Sequence, residues 1–120
     1  MITGANSGMG LATARLFAAE GARVAAGDLD LGNVRSLQCE RVTGFALDVS
    51  DEGSVVACIE RVEAELGPIA VLVNCAGTTV LADAPHTSVA DLDRVLGVNL
   101  KGVFLTCKHV IPLMAKRGGG

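Results

Sequence analysis

Three glycines, Gly4, Gly8 and Gly10, fall within Thr3-Gly4-Ala5-Asn6-Ser7-Gly8-Met9-Gly10, after an apolar stub and before a tract rich in alanine and leucine. Glycine lets a main chain turn sharply and lets a bulky group come close to it. Where a helix begins at such a turn, its first N–H groups lack internal acceptors and carry a partial positive charge. The chemistry that suits this arrangement is capture of a diphosphate by amides near Gly8, with Gly4, Met9 and Gly10 in the same turn and the Ser7 hydroxyl as a further contact. A glycine-rich turn without a ligand is the plain alternative, and the strand-to-helix setting favours the phosphate reading. No Gly-Lys-Ser/Thr follows, which excludes a P-loop.

Asp28 comes about 20 residues later, at the end of a second apolar run, where a dinucleotide-binding domain hydrogen-bonds the adenine ribose. Its carboxylate can accept from ribose hydroxyls and would repel a phosphate on the same sugar. Two like charges about 4 Å apart cost on the order of 4 kcal/mol at a protein surface. Asn6, Ser7 and Leu29 supply no compensating cation. The expected cofactor is therefore NAD(H) in preference to NADP(H). A solvated loop aspartate is the alternative for Asp28, and Asp30 reads as one.

The elements that must position these residues alternate between strand-like and helix-like, the pattern of an α/β fold with a parallel sheet. Met1-Ile2-Thr3 reads as the end of a strand, and Gly8 to Glu20 as a helix stopped by Gly21. Arg23 to Gly27 reads as a short strand ending at Asp28, Asn33 to Cys39 as a weak helix, and Val42 to Leu47 as a third strand ending at Asp48. Val55, Ile59, Val62 and Leu66 recur at helical spacing, with Ser50 as the expected cap and Asp51 and Glu52 at the positive end of the dipole. Gly67-Pro68 ends that helix. Ile69 to Val73 is a continuous apolar run, as in a strand buried on both faces. After a looser stretch from Thr78 to Thr87, Ser88-Val89-Ala90-Asp91 has the spacing of a capping box with Asp in place of Glu. It opens a long helical tract in which Val95, Asn99, Gly102, Val103 and Cys107 share one side beside Leu92, Leu96 and Leu100. Gly97 and Gly102 weaken this tract, and Pro112 is expected to bend it.

The 120 residues are 50% hydrophobic and carry a formal net charge of −3. One domain with a true core, residues 1–120, is the expectation. The basic residues are scattered, with Lys116-Arg117 the one tight pair, which speaks against a nucleic-acid partner. The apolar runs are too short to span a bilayer, and no charged-then-apolar leader opens the chain, so a cytoplasmic protein is expected. Cys39, Cys58, Cys75 and Cys107 show neither CxxC nor Cys/His metal spacing. No metal is expected, and the cysteines read as small buried hydrophobes, a disulfide being the rarer outcome in a reducing compartment. His86 and His109 lack the partners that acid–base catalysis requires and read as surface or packing residues.

Taken together the motifs resemble the short-chain dehydrogenase/reductase family, in order along essentially the whole chain. Thr3-Gly4-x-x-x-Gly8-x-Gly10 resembles its glycine motif, and Asp48-Val49 its adenine-contacting Asp-Val. Asn74-Cys75-Ala76-Gly77 resembles its Asn-Asn-Ala-Gly, and Asn99 in Gly97-Val98-Asn99-Leu100 the asparagine of its catalytic tetrad. The resemblance implies that Asp48 holds the adenine amino group with help from the Val49 main chain, and that Asn74, Ala76 and Gly77 pass close to the adenosine ribose. Cys75 departs from the family's second asparagine, which puts in doubt a side-chain hydrogen bond tying the fourth strand to its neighbour. Asn99 would distort a helix so that a main-chain carbonyl holds a water, although a structural asparagine satisfying its own polar atoms is the rival role.

The same resemblance implies proton-coupled hydride transfer, in which a tyrosine moves the proton, a Tyr-x-x-x-Lys lysine lowers its pKa and a serine steadies the substrate oxygen. This chain has no tyrosine, and no serine follows Ser88. It is expected to be the cofactor-binding part of a longer oxidoreductase, truncated at both ends, marginally stable and catalytically silent on its own. The expected architecture is a Rossmann-type doubly wound parallel sheet of strand order 3-2-1-4, with helices on both faces and ligand at the carboxyl ends of the strands. The expected partners are a small alcohol or ketone and further copies of the chain, as a homodimer or homotetramer joined through the helix from about Asn99. A non-catalytic NAD(H)-binding module is the alternative. An S-adenosylmethionine methyltransferase is a third reading, disfavoured by the glycine spacing and the Ala76-Gly77 turn.

Overall fold

The computed structural model describes residues 1–36 and 41–120. Strands β1 (Ile2–Thr3), β2 (Val24–Asp28), β3 (Val42–Ala46) and β4 (Val73–Asn74) form one parallel sheet in the order β3-β2-β1-β4. Helices α1 (Gly8–Ala19), α2 (Gly32–Arg35), α3 (Glu52–Glu65), α4 (Val89–Leu96) and α5 (Gly102–Lys116) complete the chain, with a 3₁₀ turn at Ala84–His86 and a π-helical turn at Gly97–Lys101. The expected Rossmann-type topology is therefore present. The chain winds outward from β1 to β3 and then returns to place β4 on the far side of β1. That reversal opens a crevice at the carboxyl ends of β1 and β4, where open α/β sheets take their ligands.

Helices cover both faces of the sheet. On one face Ala14 and Ala18 of α1 pack with Ile2, Val24, Ala26 and Val34, all buried. On the other, Val55, Cys58, Ile59 and Val62 of α3 and Leu105 and Val110 of α5 close over Ala25, Phe45, Leu47 and Ile69. The helical row read from Val55 to Val62 is thus the buried face of α3, with Leu66 packed at its edge. Alanines on α1 let that helix lie close to the sheet. Polar ties join the second layer: Glu52 accepts from Lys108 Nζ at 2.7 Å and meets His109 Nε2 at 2.8 Å, and Glu63 takes the Ile69 N–H at 2.7 Å and the Arg117 guanidinium.

Several expectations require correction. Ser50 does not cap α3; Asp51 does, its carboxylate accepting from Ser54 N at 2.8 Å, because Ser50 is turned back to hydrogen-bond Asp48. The run from Ile69 is not a strand buried on both faces. Only Val73–Asn74 pair as β4, and Val71 is 49% exposed, because no strand lies on the outer side of β4 among the described residues. The Ser88 cap is found as read, accepting from Asp91 N at 3.0 Å. Beyond it the inward row runs through Val95, Val98, Gly102, Leu105, Thr106 and Val110, not through Asn99 and Val103. The π turn widens the helix at this point and Asn99 swings out toward a loop. Gly102 is buried because a methyl there would come within 2.7 Å of Val49 Cγ2, so this glycine permits the docking of α5 against the sheet. Helix α5 continues through Pro112. The weak helix expected over Asn33 to Cys39 is the single turn α2, and Leu37–Glu40, with Cys39, lie outside the described residues.

Candidate functional site

A cavity of about 670 Å³ lies at the carboxyl ends of the strands. Gly4, Ser7, Gly8, Met9 and Gly10 line it from the first turn, Asp28 from β2, Asp48 and Val49 from the end of β3, and Ala76 and Gly77 from the end of β4. The fold thus brings ten of the sequence-selected residues to one opening. Asn74 and Asn99 are not among the lining residues.

The glycine turn has the shape its sequence suggests. Gly4 has φ +65°, and a methyl there would lie 2.6 Å from Ala76 N, so the turn presses directly on the loop after β4. Gly10 sits over the Gly4 carbonyl, where a methyl would come within 2.1 Å of the oxygen. Ser7 caps α1 by its main chain alone, its hydroxyl making no capping bond, and Leu11 N takes the Ser7 carbonyl at 3.0 Å. The N–H groups of Gly8, Met9 and Gly10 have no acceptor among the described residues. Three unpaired amides at the positive end of a twelve-residue helix therefore stand on the cavity wall.

Asp28 is turned toward this mouth. Its Oδ2 accepts from Asn6 N at 2.9 Å, and its Oδ1 from Asp30 N at 3.3 Å. Asn6 in turn locks the turn to α2: its Oδ1 accepts from Asn33 N at 2.7 Å and Val34 N at 3.2 Å, while Asn33 Nδ2 donates to its carbonyl at 2.9 Å. Asn6 was weighed in the sequence only as a missing cation; its work is to fix Asp28 against the turn. Asp48 turns one carboxylate oxygen back on Ser50 and leaves the other toward the cavity. Oδ1 accepts from the Ser50 N–H at 2.9 Å and hydroxyl at 2.6 Å, while Oδ2 has no partner among the described residues. Ser54 Oγ accepts from Asp48 N at 2.9 Å and holds the strand end over α3. The Val49 side chain is buried against Gly102.

The fourth strand is tied to its neighbour without the asparagine that Cys75 replaces. Thr3 Oγ1, buried, accepts from Cys75 N at 3.2 Å and Ala76 N at 3.1 Å. The sequence signal for this was a threonine inside a strand end at the sheet centre, where a hydroxyl must find partners. The Asn74 side chain points into α5, accepting from Thr106 Oγ1 at 2.8 Å and lying 3.6 Å from Cys107 Sγ. Asn99 is exposed, yet both ends of its amide are engaged: Oδ1 accepts from Thr78 N at 2.8 Å and Nδ2 donates to Thr78 O at 2.9 Å. It sits in the π turn, where Gly102 N reaches back to Gly97 O. His86 pairs with Asp83 and His109 with Glu52, and neither lines the cavity. Cys58, Cys75 and Cys107 are free thiols; burial pushes that of Cys58 up to about 11.

The sequence matches the family model for short chain dehydrogenase over residues 1–120. Among curated proteins, D-threitol dehydrogenase of Mycolicibacterium smegmatis is 43% identical over 126 residues, covering 100% of this chain and 48% of its own length. The 2-(R)-hydroxypropyl-CoM dehydrogenase of Xanthobacter autotrophicus is 41% identical, with 100% of this chain and 52% of its own length covered. The chain thus spans about half the length of the curated relatives it matches. A crystal structure of 3-ketoacyl-(acyl-carrier-protein) reductase from Brucella melitensis complexed with NADH superposes with a TM-score of 0.91 at 31% identity, over 98% of this chain and 50% of that one.

Proposed function

Since the chain belongs to the short-chain dehydrogenase family, we propose that residues 1–120 are the single cofactor-binding domain of an NAD(H)-dependent oxidoreductase acting on an alcohol or ketone. One observation carries this reading. Asp28 is hydrogen-bonded at 2.9 Å to the amide beside a turn whose next helical amides, from Gly8 to Gly10, have no acceptor among the described residues, and both face one cavity. The amides suit a diphosphate and the carboxylate suits ribose hydroxyls. The cradle is sterically specific, since a methyl at Gly4 or Gly10 would strike main chain.

In this assignment Gly4, Ser7, Gly8, Met9 and Gly10 hold the diphosphate, and Asp28 holds the adenosine ribose. Asp48, through its uncommitted oxygen, and Val49 hold the adenine. Ala76 and Gly77 wall the ribose, and Asn74 backs that wall by anchoring it to α5. The bound nicotinamide would supply the hydride chemistry. Asn99 stands in a π turn that interrupts the regular helical bonding, the kind of local distortion its proposed tetrad role calls for. The proposed preference for NAD(H) follows from the Asp28 charge, which would repel a phosphate on the ribose hydroxyls it is assigned.

The exposed apolar row Leu92 and Leu96 of α4, Leu100 of the π turn and Phe104 of α5 suits contact with further copies of the chain, in a homodimer or homotetramer. Among the described residues no helix is long and apolar enough to cross a membrane. We place the protein in the cytoplasm because Cys58, Cys75 and Cys107 stand as free thiols. With no tyrosine in the sequence, these 120 residues are assigned cofactor binding without turnover of their own. Titration by NADH fluorescence, with NADPH alongside, tests the reading. Tighter binding of NADH is the expected result; equal or tighter binding of NADPH would refute the preference, and no binding of either would refute the site.

A further inference from the structure

The loop after β4 forms the cavity wall at Gly77 and Thr78, and Thr78 is gripped at three atoms. Asn99 takes its N–H and its carbonyl, at 2.8 and 2.9 Å. Arg94 of α4 takes the hydroxyl, Nη1 donating to Thr78 Oγ1 at 2.8 Å. The other arm of the guanidinium, Nη2, donates to Asp91 Oδ1 at 3.0 Å, and Asp91 Oδ2 accepts from the Ser88 hydroxyl at 2.7 Å. A continuous line of hydrogen bonds therefore runs from the cap of α4, through Asp91 and Arg94, to the cavity wall. The Arg94 side chain is 48% exposed, so these bonds and not burial give it a fixed place. It is also the one cation among the described residues that line the cavity, facing an opening whose other ionised side chains are Asp28 and Asp48.

The two grips differ in kind. The Asn99 amide fixes the main chain of Thr78 but leaves its side chain free to rotate. A planar guanidinium with partners on both arms is a rigid spacer, and it sets the distance between α4 and the loop. A wall held in place before binding spares the ordering entropy that a loose wall would cost on binding. We propose that Arg94 is a cofactor-positioning residue, which braces Thr78 against α4 and so holds the Gly77–Thr78 wall where the bound dinucleotide meets it. This rests on the reading of the cavity as an NAD(H) site. Arg94 acts through Thr78, and its partner Asp91 is a positioning residue of the same line.

The test is a double-mutant cycle on NADH affinity, with amide exchange at Thr78 as a second readout. Arg94→Leu should raise the Kd for NADH by about tenfold, the worth of one charge-assisted hydrogen bond. Thr78→Val should do the same, and the double variant should bind no more weakly than either single one, since both remove one interaction. Arg94→Lys should recover part of the affinity, because an ammonium can still reach the hydroxyl. Hydrogen exchange at Thr78 should quicken in Arg94→Leu, while exchange along α1 stays as in the unaltered protein. Unchanged affinity in Arg94→Leu, or additive losses in the double variant, would overturn the proposal for Arg94 while leaving the site standing. An unaltered protein that binds no NADH would overturn the site reading and this proposal with it.

Discussion

Replacing Gly10 by alanine should damage the cradle more than the fold. The added methyl would lie 2.1 Å from the Gly4 carbonyl oxygen, 2.7 Å from its carbon and 3.1 Å from Ala5 Cα. Carbon atoms rest comfortably at about 3.5–4.0 Å, so α1 and the turn must part by roughly 1 Å. Neither side can yield cheaply, since Gly4 itself is pressed on the main chain of Cys75 and Ala76. Overpacking of this kind costs about 1–3 kcal/mol, which a domain with about 5–15 kcal/mol of stability survives. At roughly 4 °C per kcal/mol, the unfolding midpoint should fall by about 4–12 °C. The displacement carries the amides of Gly8, Met9 and Gly10 out of register with a diphosphate. Loss of even one hydrogen bond to a charged group, at about 1.5–3 kcal/mol, weakens NADH binding by tenfold or more. Gly21→Ala, past the far end of α1 and away from the cavity, is the control. Its methyl meets nothing within 4 Å, but φ of +91° imposes about 1–2 kcal/mol of backbone strain. The two variants should lose similar stability in thermal unfolding by circular dichroism, while Gly10→Ala loses the larger part of its affinity in fluorescence titration. A Gly10→Ala protein that unfolds and binds like the original would refute the steric reasoning.

Three further outcomes are expected. Asp28→Asn should shift the ratio of NADPH to NADH affinity toward NADPH by at least tenfold, removing the charge behind a repulsion of about 4 kcal/mol; an unchanged ratio from paired titrations would show that Asp28 does not select the sugar. Thr3→Val should leave the N–H groups of Cys75 and Ala76 without their acceptor and cost on the order of 1–3 kcal/mol, seen as a lower urea midpoint, and a midpoint that does not move would contradict the tie. The Arg117 guanidinium first, and the Ile69 amide after it, hold the Glu63 carboxyl below the usual glutamate range. A carboxyl with a depressed folded pKa stabilises fully above its unfolded value of about 4.3, and loses that contribution as the pH falls through the lower folded value. Glu63→Gln should therefore be less stable than the original at neutral pH and converge toward it in acid; melting curves that stay parallel from pH 7 to pH 3 would be the contrary result.

The sheet order and the glycine turn were legible because they rest on local signals. A strand end, a glycine cluster and an Ala-rich helix identify one another within a dozen positions, and Asp28 is placed by the strand that carries it. What was not legible depends on contacts distant in sequence. Thr3 reaches 72 positions along the chain to Cys75, and no periodicity reports such a bond. Asn6 was read for charge, while its function lies in the shape of its amide, which joins the turn to α2. The stripe through Val95, Asn99 and Val103 failed because it assumed 3.6 residues per turn across a segment that winds as a π turn. Ser50 failed as a cap because Asp48, two residues earlier, competes for its hydroxyl. Gly102, read as a weak point, is a site of close approach that only the tertiary packing against Val49 discloses.

The central claim is that bare amides at the start of α1 receive the diphosphate of NAD(H) while Asp28 takes the sugar. Backbone amide resonances followed during addition of NADH measure this directly. The largest shifts should fall on Gly8, Met9 and Gly10, with Asn6 and Asp28 next, and residues far from the cavity, such as Val24 at the start of β2 and Leu66 at the end of α3, should stay still. Shifts centred elsewhere, with Gly8 to Gly10 unmoved, would contradict it.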